Sequence, residues 1–134
     1  MKKIIAITVS VLLLASLMMS GCSDFAFNPI GKWAMTDDIL YSNGKEIQHT
    51  TADDMIYKDF LIIFEKSGTG YINVNGTKTN TFTYEYTDND VSVKFDRTGS
   101  VTKYTVSEDK KKIIKTDKDS DDESFREDII FTKK

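Results

Sequence analysis

TFTYEYTDNDVSVKF, residues 81–95, decides the fold. In its first half Phe82, Tyr84 and Tyr86 alternate with Thr83, Glu85 and Thr87. This is the period of two that turns one face of a strand to a core and the other to water. Asp88-Asn89-Asp90 is a run of turn formers. Val91, Val93 and Phe95 then repeat the apolar face opposite Ser92, Lys94 and Asp96. Two alternating strands joined by a three-residue turn make an antiparallel hairpin.

The same pattern extends in both directions. Upstream, Phe60-Leu61-Ile62-Ile63-Phe64 is apolar on both faces and reads as a central strand. Ser67-Gly68-Thr69-Gly70 turns it into Tyr71–Val74, which Asn75-Gly76 closes. Downstream, Arg97-Thr98-Gly99-Ser100 leads to Val101–Val106. Ser107-Glu108-Asp109-Lys110 leads to Lys112–Thr116, and an acidic loop, Asp117–Ser124, precedes a last strand, Phe125–Thr132. Near the start, Ile30–Met35 begins a strand that Leu40-Tyr41 continues. Asn43-Gly44 suits a type I′ hairpin turn returning through Lys45–His49. Thr51, with an acid three residues on, caps a short helical turn over Thr51–Lys58. About eight short antiparallel strands with at most one helical turn predict an all-β fold, a small up-and-down barrel. Closure removes the edges that a chain with so little helix has no means to cover.

The first 21 residues read differently. Met1-Lys2-Lys3 is a short basic start, and Ile4–Met19 is an uncharged apolar run, shorter than the roughly 20 residues a spanning helix needs. Ser20-Gly21 places small residues before Cys22, the single cysteine of the chain. A lone cysteine makes no internal disulfide. Residues 1–21 are therefore expected to be a cleaved signal peptide, 22–29 a tether and 30–134 the barrel domain. Met19-Ser20-Gly21-Cys22 resembles the bacterial lipobox, with methionine where leucine is usual. That resemblance implies a diacylglyceryl group on the Cys22 sulfur and cleavage before it. Two acyl chains, at roughly 0.8 kcal/mol per buried methylene, would hold the chain on the extracytoplasmic face of the cell membrane.

Gly31-Lys32-Trp33, opening the first strand of a small meander, resembles the Gly-x-Trp signature of the lipocalins. The runs FLIIFEKSGTGYI, TFTYEYTDNDVSVKF and KYTVSEDKKKIIKT are similar to those of bacterial lipocalin-like lipoproteins. The likeness covers about Ile30 to Lys133. It implies that Trp33 lies across the closed end of the barrel under a basic residue of the last strand, Arg126 or Lys133. The family's Thr-Asp-Tyr motif is absent from its expected place, with Thr87-Asp88-Asn89 a partial echo, and its long C-terminal helix is missing. A deep calyx is accordingly in doubt; a compact barrel is not.

The remaining residues bound the chemistry. A formal charge of −3, more acidic once Lys2 and Lys3 leave with the leader, argues against a phosphate-driven nucleic-acid binder. The single histidine, His49, lies in a polar hairpin end and reads as solvated rather than as a general base. No pair of acids is flanked by the apolar residues that would raise a pKa, so an enzyme is not expected, and no cofactor. Asp117, Asp119 and Asp121 alternate like the first half of a calcium loop, but Asp122 stands where that loop needs glycine, so a solvated loop is preferred. Phe82, Tyr84 and Tyr86 are the candidate lining of a ligand cavity or, as the shallow interior of short strands favours, the filling of a small barrel. The resulting expectation is a membrane-anchored binder of a small apolar ligand; the alternative is a non-catalytic interaction or envelope-structural module with a filled barrel.

Overall fold

The computed structural model describes residues 26–56 and 59–134. The leader and Cys22 lie outside them. The strands are β1 (Gly31–Ser42), β2 (Lys45–Thr51), β3 (Phe60–Phe64), β4 (Thr69–Val74), β5 (Thr77–Tyr86), β6 (Asp90–Phe95), β7 (Val101–Val106), β8 (Lys112–Lys118) and β9 (Phe125–Lys133), with a single 3-10 turn at Ala52–Asp54. All pairings among them are antiparallel. From β3 to β9 each strand pairs with its successor, and β1 pairs with both β3 and β9. Eight strands thus close an up-and-down barrel, as the alternation predicts, and β2 is a ninth strand outside the ring.

The ninth strand exists because β1 is long. Its first part, Gly31–Ala34, pairs with β3, whereas its second part, Asp37–Ser42, pairs with β2 across the Asn43-Gly44 turn. Both turn residues have positive φ, 52° and 77°, as a type I′ turn requires. On its other side β1 pairs with β9 over nearly its whole length, interrupted by a bulge between Met35 and Asp37. The extra residue reverses the alternation. Trp33 and Met35 point inward before the bulge. After it, Asp38 and Leu40 face the same way as their partners on β9, Ile129 and Glu127.

The lower end of the barrel is closed by aromatic packing. Trp33, Ile62, Phe64, Phe82, Val91, Val93 and Ile113 are all but fully buried there. Phe27 and Pro29, from the stretch expected to be a free tether, belong to this plug. Phe27 is only 3% exposed. Its ring lies 5.8 Å from Trp33 and 6.2 Å from Tyr86, and its N–H donates to Asp88 Oδ1 at 3.1 Å. Trp33 Nε1 donates to the Pro29 carbonyl at 2.7 Å, so burying the indole leaves no unpaired donor.

The upper end is splayed. β7 and β8 pair only through Thr105–Ile114 and Val106–Ile113, while β8 and β9 remain paired up to Lys118–Arg126. The upper halves of β8, β9 and β1, with β2, therefore form a four-stranded flap that stands away from β7. Of the expected helical turn the described residues show only Ala52–Asp54, to which Thr51 makes no capping hydrogen bond; residues 57–58 lie outside them. Three residues are too few to repay helix nucleation.

Candidate functional site

Lys133, not Arg126, is the basic residue above the tryptophan. Its Nζ lies 5.6 Å from the Trp33 ring and donates to the Asn28 carbonyl at 2.9 Å, tying the last strand to the plug. Arg126 lies at the far end of the same strand, on the outer face of the flap. There its guanidinium stacks 4.1 Å from the Tyr41 ring and pairs with Asp128 at 3.3 Å. The distance along β9 from the closed end makes any contact with Trp33 impossible for it.

The aromatic stripe fills the barrel instead of lining a cavity. Phe82 is 1% exposed and meets the rings of Phe64 and Phe95 edge-on at 5.5 and 5.9 Å. Tyr84 lies 4.9 Å from Phe64 and donates its hydroxyl to the Glu65 carbonyl at 2.6 Å, the partner that a half-buried phenol requires. Burial, then the negative charge of Tyr86 and Glu65, raises its pKa. Tyr86, 49% exposed, packs on Phe27 at the rim. The recess that touches Tyr84, about 280 Å³, runs between outward residues such as Thr83, Glu85, Ser92 and Lys94.

The acidic loop does not gather a cation site either. Asp117 is in β8, where it pairs with Lys115 at 2.8 Å. The Asp119 carboxylate accepts the Asp121 N–H, and the Asp122 carboxylate accepts the N–H and hydroxyl of Ser124. These acids shape turns, and among the described residues no group of three potential ligands is placed to hold a metal. His49 lies on β2, its Nε2 2.8 Å from Asp37 Oδ1 and its Nδ1 3.6 Å from Glu46. Burial works to raise the Asp37 pKa. Hydrogen bonds to His49 and Thr36 and the nearby positive charge of His49 and Lys112 outweigh it and hold the group low.

The cavity with the composition of a binding site is at the upper end, between the flap and the 3-10 turn. It measures about 460 Å³, within the range of small-molecule sites. β1 contributes Met35 and Asp38, β2 Gln48 and Thr50, β9 Ile129, and the turn region Asp54, Met55 and Ile56. Met35, Met55 and Ile129 supply its apolar lining, with the largely exposed Ile56 at its edge; amide, hydroxyl and carboxylate groups supply the polar part. Above Asp38 the inner face of the flap continues through Leu40, Glu127, Lys115 and Asp117, and a second recess of about 270 Å³ touches Leu40, Asp117 and Glu127. Burial, the charge of Asp38 and a carboxyl–carboxyl hydrogen bond to it, and the charge of Asp117 together push the Glu127 pKa up, against the opposing Lys115. Asp38 Oδ1 is buried and meets no N–H or hydroxyl donor. Beneath, burial and then the charge of Asp117 push the Tyr104 phenol up to about 12.

None of these cavity residues stands out in the sequence. Uninterrupted alternation from Trp33 would have aimed Asp37 inward; the bulge substitutes Asp38. The aspartate pair Asp37-Asp38 was the only local sign, and it does not say which carboxylate turns in. Comparison with protein-family models, with curated proteins and with solved structures gave no match. The class of this protein therefore rests on the fold: an eight-stranded, closed, antiparallel up-and-down β-barrel, plugged at one end and splayed at the other.

Proposed function

We propose that this chain is a lipid-anchored extracytoplasmic lipoprotein whose lipocalin-like barrel holds a small apolar ligand at its splayed mouth. The observation that carries the binding reading is the cavity of about 460 Å³ with Met35, Met55 and Ile129 beside polar groups. The action is passive: an apolar body is taken out of water, a few polar groups orient it, and no bond is made or broken.

The anchor and the site belong to opposite ends of the barrel. Cys22 is five residues from Phe27, which is buried in the lower plug. At about 3.3–3.6 Å per residue, that segment spans at most about 18 Å. A lipid on Cys22 would hold the plugged end against the bilayer and turn the mouth outward, so the ligand would arrive from outside rather than from the membrane. The second reading, a non-catalytic interaction module, draws on β2, whose outer edge has no partner strand among the described residues and whose Ile47 is 55% exposed.

Cys22→Ser should lose acylation and leave the membrane fraction while the barrel keeps its far-ultraviolet circular dichroism; a variant that stays membrane-bound refutes the anchor. Binding is tested by titrating the neutral dye N-phenyl-1-naphthylamine into the barrel domain. Thr50→Trp, which fills the cavity from its polar part without touching the plug, should weaken the dye about tenfold or more. Equal binding by the variant places the dye elsewhere and ends the proposal for this cavity.

A further inference from the structure

We propose that the mouth selects an amphipathic amine, its ammonium group on Asp38 and its apolar chain along Met35, Met55 and Ile129. This deepens the binding reading and rests on it.

The charges that face the mouth decide its preference. Asp38 comes from β1, Glu127 from β9, Asp117 and Lys115 from β8, and Asp54 from the 3-10 turn; β2 supplies the neutral Gln48 and Thr50 to the cavity, with Lys45 at the far end of that face opposite Ser42, and β7 the neutral phenol of Tyr104. Among the described residues no cation lines the cavity, and Lys115 beside it is already held by Asp117 at 2.8 Å. What remains around Asp38 is negative. The buried Asp38 Oδ1 lacks an N–H or hydroxyl donor. A buried acceptor without a donor is costly; an alcohol O–H satisfies it without adding charge, whereas a carboxylate head leaves that cost in place. A carboxylate head adds repulsion. An ammonium supplies both the positive charge and an N–H, the stronger, charge-assisted form of hydrogen bond. A quaternary ammonium supplies the charge alone. The apolar lining and Asp38 belong to the same cavity, so head and tail are accommodated together.

Four probes with one chain length separate the terms: octylamine, octyltrimethylammonium, 1-octanol and octanoate, each measured by calorimetry and by displacement of N-phenyl-1-naphthylamine. Octylamine should bind about tenfold or more tighter than 1-octanol, with octyltrimethylammonium between them and octanoate weakest. Asp38→Asn should remove the amine preference while 1-octanol keeps its affinity within about twofold. If 1-octanol and octylamine bind alike, the cation preference is refuted and the cavity's role in binding stands. If neither the dye nor any of the four probes binds, the binding reading itself fails.

Discussion

Gly70→Ala should destabilise the barrel far more than its single methyl group suggests. Gly70 is in β4, opposite Phe64 on β3 and Phe82 on β5, and the two phenyl rings meet 5.5 Å apart over the place its side chain would take. An added Cβ would stand 2.5 Å from two atoms of the Phe82 ring and closer still to the Ile63 carbonyl oxygen. Phe82 has no room to retreat, with Phe95 and Tyr84 behind it at 5.9 and 6.4 Å. The carbonyl is backbone and moves only if the β3–β4 ladder opens. Overpacking ordinarily costs about 1–3 kcal/mol, and a backbone obstacle puts this substitution at about 3 kcal/mol or more. Against total stabilities of about 5–15 kcal/mol this is a large fraction, worth about 15 °C in Tm for a domain of this size. The control is Gly68→Ala. Gly68 has φ of +85° and open space around its Cβ direction, so only the left-handed backbone is penalised, at about 1–2 kcal/mol. Urea melts followed by the fluorescence of Trp33, the single tryptophan, report both variants. A Gly70→Ala loss below about 1 kcal/mol, or one smaller than that of Gly68→Ala, would falsify the reasoning.

Two further outcomes follow from charged groups. Lys133→Met keeps the stem of the side chain but removes the cation above Trp33 and the donor to Asn28, and should cost about 0.5–2 kcal/mol in the same melts; no change would show that the plug holds without it. The acid side of the stability profile should contain two opposed terms. Asp37 has a lowered folded pKa, so its contribution is present above its ordinary value of 3.8 and is lost as pH falls through the folded value. Glu127 has a raised folded pKa, so its contribution is present below 4.5 and is lost as pH rises through the folded value. Stability measured against pH in Asp37→Asn should lose the first slope and in Glu127→Gln the second; reversed assignments would contradict the arrangement of the two faces of β1.

The barrel was legible in the sequence because alternation is local. Phe82, Tyr84 and Tyr86 announce one inward face, and the pairs Asn43-Gly44 and Asn75-Gly76 announce turns by residues that tolerate positive φ. The Trp33 plug was half legible: its position came from the Gly-x-Trp resemblance, but the choice between Lys133 and Arg126 depends on how far β9 runs past β1, a matter of register. The fate of the aromatic stripe depends on which side chains meet it across the barrel, and Phe64, Phe95 and Gly70 come from three other strands. The mouth was not legible at all. It depends on one bulged residue in β1, on β8 parting from β7, and on β2 continuing where β3 stops, and none of these leaves a mark on periodicity. Nor does Phe27, in Phe25-Ala26-Phe27 before Asn28-Pro29, reveal by itself that it docks against Trp33.

The division between the two ends explains how one small barrel can be both firm and receptive. Apolar burial is the main favourable term in folding, and here most of it lies at the plug, where Trp33, Phe64, Phe82 and Phe27 exclude water. The flap above it carries Asp38, Glu127, Lys115 and Asp117 on its inner face and Asp37, His49, Arg126 and Asp128 on its outer one, groups whose pairing contributes little to stability near a surface. A carboxylate oxygen without a donor is tolerable at the mouth because the plug supplies the stability that it withholds. The same oxygen set among the rings of the plug would have no such compensation. Stability concentrated at one end is what leaves the other end free to keep an unsatisfied group for a ligand to satisfy.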